Sequence, residues 1–190
     1  MRLNIPNLLT WLRIVLIPVF AILFYLPNGW LTMATANTAA TAIFAVAAFT
    51  DWLDGYLARA LDQTSAFGAF LDPVADKLMV AAALILLVAL GRVDALIALI
   101  IIGREITISA LREWMAEIGQ RKSIAVSFVG KIKTTTQMAA IVLLLYHGKI
   151  GGVVDTQLLG TLLIFAAAAL TLWSMVYYLK LALPHLAGGE

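Results

Sequence analysis

Cysteine is absent from the 190-residue chain, which excludes disulfides, thiolate chemistry and cysteine-ligated zinc but leaves the compartment open. Histidine is nearly absent. His147 and His185 stand alone without metal-ligand spacing, so neither is assigned chemistry. Charge is scarce as well: Asp, Glu, Lys and Arg make up only 13% of the residues, against 63% hydrophobic. Mean hydropathy is +0.97. A soluble domain of this size could not hide that much apolar surface, so the chain reads as an all-α, polytopic membrane protein forming one domain over residues 1–190. No internal repeat or low-complexity tail is evident. Met1 to Asn7 are too polar for the apolar core of a signal peptide, and no small-residue cleavage site follows, so the first hydrophobic run is expected to stay in the mature protein.

Six apolar runs follow, each near the ~20 residues that span a bilayer. They run roughly from Leu8 to Leu26, Met33 to Ala58, Phe67 to Leu90, Asp94 to Trp114, Gly130 to Tyr146 and Gln157 to Leu183. The expectation is six transmembrane helices. An even number of passes puts both termini on one side, together with the loops after Arg59 and Trp114. Eleven of the thirteen Lys and Arg fall on that side and only Arg92 and Lys149 on the other, so that side is assigned to the cytoplasm.

Acidic residues are few but not evenly spread. Five of the eleven lie between Asp51 and Asp76, at the cytoplasmic ends of two hydrophobic runs. Side chains three, four and seven apart share a helix face, so Asp51, Asp54, Gly55 and Ala58 line one side of a helix ending near Arg59. Gly68, Asp72 and Asp76 line one face of the next helix if it is continuous. Two readings of Asp72-Pro73 stay open: Asp72 as an N-cap with Pro at the first helical position, or a longer helix kinked at Pro73. On adjacent antiparallel helices the acid pairs would converge. Four close carboxylates either take up protons or hold metal, and oxygen-only donors suit a hard divalent ion such as Mg²⁺ or Mn²⁺, with room in the donor count for two. Gly55, Ala58 and Gly68 either leave space for a ligand or let helices pack closely. Arg59 offers a planar fork to phosphate oxygens. Asp62 is read as a solvated loop charge.

Several cations sit within spans. Arg13 lies inside the first, and Arg104-Glu105 interrupts the fourth, where a charge facing lipid would cost several kcal/mol and so should face the protein interior. Arg104, Arg112, Arg121, Lys131 and Lys133 form a basic surround for the acidic centre, an arrangement that suits an anionic substrate. Lys131 and Lys133 also read simply as flanking lysines marking a cytoplasmic helix end, and Arg104 as half of an intramembrane ion pair.

The pattern Asp-x2-Asp-Gly-x2-Ala-Arg-x8-Gly-x3-Asp-x3-Asp resembles the signature of the CDP-alcohol phosphotransferases, and Asp51, Asp54, Gly55, Ala58, Arg59, Gly68, Asp72 and Asp76 fill every fixed position. The stretches Asn4 to Arg13, Arg104 to Glu117 and Gly130 to Thr134 resemble the bacterial phosphatidylglycerophosphate-forming branch of that family, whose N-terminal segment lies along the membrane surface before the first span. The resemblance implies transfer from CDP-diacylglycerol to sn-glycerol 3-phosphate, with CMP released, at the bacterial inner membrane. It implies divalent metal on Asp51, Asp54, Asp72 and Asp76, with Asp76 also the catalytic base, and CDP held by Gly55, Ala58, Arg59 and Gly68. Arg104, Arg112, Arg121, Lys131 and Lys133 are the expected holders of the acceptor phosphate. The expected partners are these two substrates, membrane lipid and a second copy of the chain in a homodimer, with no nucleic acid.

Two rival classes predict different sequences. A divalent-cation channel or carrier would line a path through both leaflets with polar groups, and the outer halves of these spans offer almost none. A scaffold protein needs no buried charge cluster. Within the enzyme class, inositol phosphate, serine or phosphatidylglycerol are the alternative acceptors. The basic surround favours a phosphorylated one.

Overall fold

The computed structural model describes residues 5–27, 29–60, 66–119 and 128–187. Six helices account for nearly all of them: α1 (Ile5–Ile22), α2 (Met33–Ala60), α3 (Ala66–Ala89), α4 (Ala95–Glu117), α5 (Phe128–Tyr146) and α6 (Thr156–Ala187). Each coincides with one of the expected apolar runs, shifted at its ends by a few residues. Two details differ. The N-terminal segment expected to precede the first span is not a separate element, because α1 runs unbroken from Ile5 through Asn7, Thr10 and Arg13 to Ile22. A two-residue antiparallel hairpin, β1 (Lys149–Ile150) with β2 (Val154–Asp155), joins α5 to α6. Its turn is made by Gly151 and Gly152, both at positive φ, which glycine adopts without Cβ strain.

Pro73 lies inside α3, so Asp72 is an interior helical residue and not an N-cap. Proline removes one intrahelical hydrogen bond. The helix nonetheless continues, which keeps Gly68, Asp72 and Asp76 on one face.

Small residues set the packing distance. Ala40, Ala83 and Ala140 are fully buried, and they interleave with Phe20, Phe44, Leu84, Leu87, Ile101, Ile141 and Leu144. Without a hydrophobic driving force between apolar faces in lipid, such close approach is what holds helices together. α5 and α6 approach closely at Gly160. A Cβ on Gly160 would stand 2.8 Å from Leu144 Cγ and 3.2 Å from Leu143 Cβ. α1 lies across α2 and α3, α4 packs on α3 and α6, and α5 lies between α2 and α6.

The outward faces carry Phe49, Ile85, Leu99, Leu162 and Phe165, all more than half exposed. Large exposed apolar faces mark surfaces that meet lipid or another apolar partner. By length and composition alone, two stretches among the described residues are long and apolar enough to cross a bilayer, Met33–Asp51 and Thr156–Leu181. α1 and α5 carry shorter apolar stretches, Leu8–Ile22 and Ile132–Tyr146.

At one end of the bundle Arg92, in the α3–α4 loop, is buried. Its Nη1 donates to the Leu144 and Leu145 carbonyls at 3.1 and 3.0 Å, and its Nη2 to Asn37 Oδ1 at 2.8 Å. Gln157 Nε2 donates to the Arg92 carbonyl. The guanidinium thus satisfies carbonyls left open at the end of α5, which have no intrahelical partner, and ties them to α2, while the Arg92 backbone carbonyl links the same loop to α6. The charged site lies at the opposite end.

Candidate active site

Asp51 and Asp54 are one turn apart on α2, where helical spacing puts both carboxylates on the face covered by α1. Between them lies Arg13. Its Nη1 is 2.8 Å from Asp51 Oδ1 and its Nη2 2.5 Å from Asp54 Oδ2. The guanidinium side chain is 1% exposed, Asp54 is 3% exposed, and Asp51 keeps 42% of its side chain open. Burying Arg13 and Asp54 in low dielectric is tolerable only because the two charges are paired and hydrogen-bonded. Thr10, one turn before Arg13 on the same face of α1, donates its hydroxyl to Asp72 Oδ1 on α3. α1 therefore reaches three of the four motif carboxylates.

Asp76 lies one turn beyond Asp72 on the same face of α3. It feels the charges of Asp51, Arg13, Glu105 and Lys77, but no side chain among the described residues hydrogen-bonds to it. It borders a small cavity with Arg13, Phe44, Ala47, Met79 and Met138. Asp51 and Asp72 lie within electrostatic range of each other and of Asp54, so the acids on α2 and α3 do converge. Their donor chemistry, carboxylate oxygen only, fits a hard divalent cation. As they stand, no three acidic or histidine side chains among the described residues are placed to share one ion. The cation gathered by the α2 pair is the Arg13 guanidinium.

A second charged centre adjoins the first. Glu105 on α4 accepts from Arg104 Nη1 at 2.9 Å and from Lys133 Nζ, on α5, at 2.7 Å. Arg104 Nη2 also donates to Ser174 Oγ on α6 at 3.3 Å. Arg112, two turns after Arg104, holds its guanidinium 5.4 Å from the centre of the Tyr178 ring, a cation–π arrangement. Arg104 and Arg112 both act electrostatically on Lys133. Two cations thus share the Glu105 carboxylate, with the charge of Arg112 close by. The buried Nε atoms of Arg104 and Arg112 find no hydrogen-bond partner among the described residues, and buried donors left open in this way are costly unless an acceptor arrives.

The sequence model of the CDP-alcohol phosphatidyltransferases matches residues 3–173. The chain belongs to that family. A Salmonella typhimurium protein named CDP-diacylglycerol–glycerol-3-phosphate 3-phosphatidyltransferase is 51% identical to it over 184 residues, 96% of each chain. Proteins of the same name from Escherichia coli K12 and Shigella flexneri are 52% identical over the same length and coverage.

In this CDP-alcohol phosphatidyltransferase the structure brings together Asp51, Asp54, Asp72 and Asp76 on one side, and Arg104, Arg112 and Lys133 on the other. Gly68 is buried one turn before Asp72 on the same face of α3. Gly55, Ala58 and Arg59 fall in the last turns of α2, and Lys131 in the first turn of α5; the surroundings of these four side chains lie outside the description. Arg121 lies outside the described residues altogether. Arg104 and Lys133, expected as phosphate ligands, are both engaged by Glu105. The ion-pair reading of Arg104 is therefore correct as far as it goes, with the partner its own neighbour on α4.

Sequence reasoning did not assign Thr10, Arg13, Glu105, Ser174 and Tyr178 to the site. For Arg13 a signal existed: a charge inside an apolar helix must face protein, and the nearest concentration of opposite charge is the aspartate motif. Ser174 gave none, because a serine hydroxyl on an apolar helix is usually satisfied by the helix's own carbonyls, as Ser174 Oγ also is by the Thr171 carbonyl, and Tyr178 gave none because an aromatic on an apolar helix reads as packing.

Proposed function

We propose that the chain transfers the phosphatidyl group of CDP-diacylglycerol to sn-glycerol 3-phosphate, forming phosphatidylglycerophosphate and releasing CMP. The observation that carries this is the pairing of a convergent aspartate cluster with a cation cluster holding open donors, side by side at one end of the bundle. The family membership and the relatives' names support it.

Asp51, Asp54, Asp72 and Asp76 would hold the divalent metal that the family generally uses, Mg²⁺ or Mn²⁺ and two ions by the number of carboxylates. Bound there, such ions supply neutralisation of the donor pyrophosphate and of the departing CMP. The chain's own groups do the rest. Arg59, together with the small residues Gly55, Ala58 and Gly68, takes the cytidine and its phosphates. Arg104, Arg112 and Lys133, joined by Lys131 and Arg121, hold the phosphate of the acceptor, the open Nε donors of the two arginines supplying fork geometry that lysine lacks. That grip fixes the glycerol hydroxyl beside Asp76. Asp76 accepts the hydroxyl proton as the oxygen bonds to the phosphatidyl phosphorus and the bond from that phosphorus to CMP breaks. Positioning of two anionic substrates accounts for most of such catalysis.

The lipid substrate explains the setting. Its acyl chains must stay in the bilayer while its head group meets a soluble acceptor. All six helices are read as membrane passes in a bacterial inner membrane, with both termini and the charged end cytoplasmic, supported by the basic-residue bias and the exposed apolar faces. A homodimer is part of the same reading, on the family resemblance.

The deciding experiment is CMP release by purified protein in detergent with CDP-diacylglycerol and Mg²⁺, offering glycerol 3-phosphate, inositol phosphate, serine and phosphatidylglycerol separately. CMP is expected with glycerol 3-phosphate alone, and EDTA should abolish it. CMP with a different acceptor would overturn the acceptor assignment, and persistence in EDTA the metal assignment.

A further inference from the structure

The aspartate motif is not alone with its charge. Arg13 reaches it from a different helix and uses one Nη on each of the two α2 carboxylates, at 2.8 and 2.5 Å. Four carboxylates against one guanidinium leave three negative charges, enough to draw in a divalent cation. Such an ion meets a like charge beside the carboxylates, and to coordinate through Asp51 Oδ1 or Asp54 Oδ2 it must displace the guanidinium bonded there. Among the described residues the buried Nε of Arg13 has no hydrogen-bond partner, and the guanidinium is fastened through the two carboxylates. A small cavity borders it on the side of Phe44, Ala47 and Met79. Thr10 holds Asp72 from the same face of α1.

We propose that Arg13 is the resident counter-cation of the aspartate site. Acting as a positioning residue, it holds Asp51 and Asp54 in place before a divalent ion binds and gives up its fork when the ion takes those oxygens. The inference rests on the reading of the aspartates as metal ligands. Its physical content is competition. A buried cluster of carboxylates cannot stand uncompensated, and a guanidinium that compensates it opposes the ion that replaces it. A merely structural arginine would have the reverse signature, since removing it would loosen the ligands and weaken metal binding.

The test is Mn²⁺ binding to the full-length protein in detergent, followed by the electron paramagnetic resonance of free Mn²⁺, with thermal unfolding in the presence and absence of the ion. Arg13→Gln should bind Mn²⁺ about tenfold more tightly than wild type, about 1.4 kcal/mol. Its metal-free form should melt below wild type, with Mn²⁺ recovering more of the stability than it adds to wild type. Arg13→Lys keeps the charge but cannot fork to two carboxylates, so its affinity should lie between the two. If Arg13→Gln does not accumulate, Arg13→Lys decides, tighter binding supporting the proposal and unchanged or weaker binding overturning it. Wild-type or weaker affinity in Arg13→Gln overturns it equally. Wild-type protein that binds no Mn²⁺, or binds it undiminished in the Asp51→Asn/Asp54→Asn double variant, would instead remove the metal reading and the proposal with it.

Discussion

Asp76 differs from its three companions in what holds it. Asp51 and Asp54 are gripped by Arg13 and Asp72 by Thr10, whereas no hydrogen bond reaches Asp76 from the described residues. A carboxylate already committed as acceptor to a guanidinium is a poor base, because the proton it takes must displace a charge-assisted bond. Asp76 has no such bond to break, and it lies within electrostatic range of Glu105, the carboxylate paired with Arg104 and Lys133. Asp76→Asn keeps the shape and one acceptor oxygen but removes the basicity. Turnover is expected to fall by about 10²- to 10⁴-fold, the usual worth of a positioned base. The protein should remain in the membrane, and the KM for glycerol 3-phosphate should change little if, as proposed, its phosphate is held by the cation cluster and not by Asp76. Steady-state CMP release at varied acceptor concentration separates the two parameters. A rise in KM at unchanged kcat would place Asp76 in binding and deny it the proton.

At the scale of elements, the far end of the bundle depends on one side chain. Arg92→Leu would leave the Leu144 and Leu145 carbonyls and Asn37 Oδ1 without their donor, each a buried group that costs about 1–3 kcal/mol when open. A combined loss of about 3 kcal/mol corresponds to a melting point lower by about 6–12 °C for a chain of this size. Thermal unfolding in detergent reads it directly, while CMP release at low temperature should be unaffected because the active end is remote. An unchanged melting point would mean that the α5 carbonyls find other donors. Arg92 also shows what a sequence can and cannot disclose. As a bare charge it counts against the basic-residue bias, and only the packing reveals it as a cap for α5. The six helices were legible because each is a long, mostly apolar run bounded by polar or turn residues, and the aspartates because three- and four-residue spacings survive in any continuous helix, even through Pro73. The hairpin was not, since two-residue strands leave no alternation to read. Nor were the contacts of Thr10 and Arg13 with α2 and α3, or of Glu105 with Lys133, because 28 to 62 residues separate the partners and which helix docks on which is decided by packing.

For the whole molecule, the question is how many times the chain crosses the membrane, and α5 is the hardest case. Its apolar stretch Ile132–Tyr146 is shorter than a span, and it begins with Lys131 and Lys133. Yet hydropathy averaged along a helix counts every charge as if it faced lipid. Lys133 is 1% exposed and paired with Glu105, and Gln137 is buried, so both face the protein interior and cost the lipid face nothing. At 1.5 Å per residue the 19 residues of α5 extend about 28 Å, close to the ~30 Å of a hydrocarbon core. α5 should therefore cross, which puts the end of α4 and the β1–β2 hairpin on opposite sides. The absence of cysteine makes this measurable with single introduced thiols. Glu117→Cys and Val153→Cys place them at two exposed positions with only α5 crossing between. In intact cells stripped of their outer membrane, an impermeant maleimide should label Val153→Cys at once and Glu117→Cys only after permeabilisation. Labelling of both from outside, or of neither, would mean that α5 does not cross. The reverse pattern would put the aspartates and the cation cluster outside the cell, away from any cytoplasmic supply of nucleotide-activated lipid and phosphorylated acceptor.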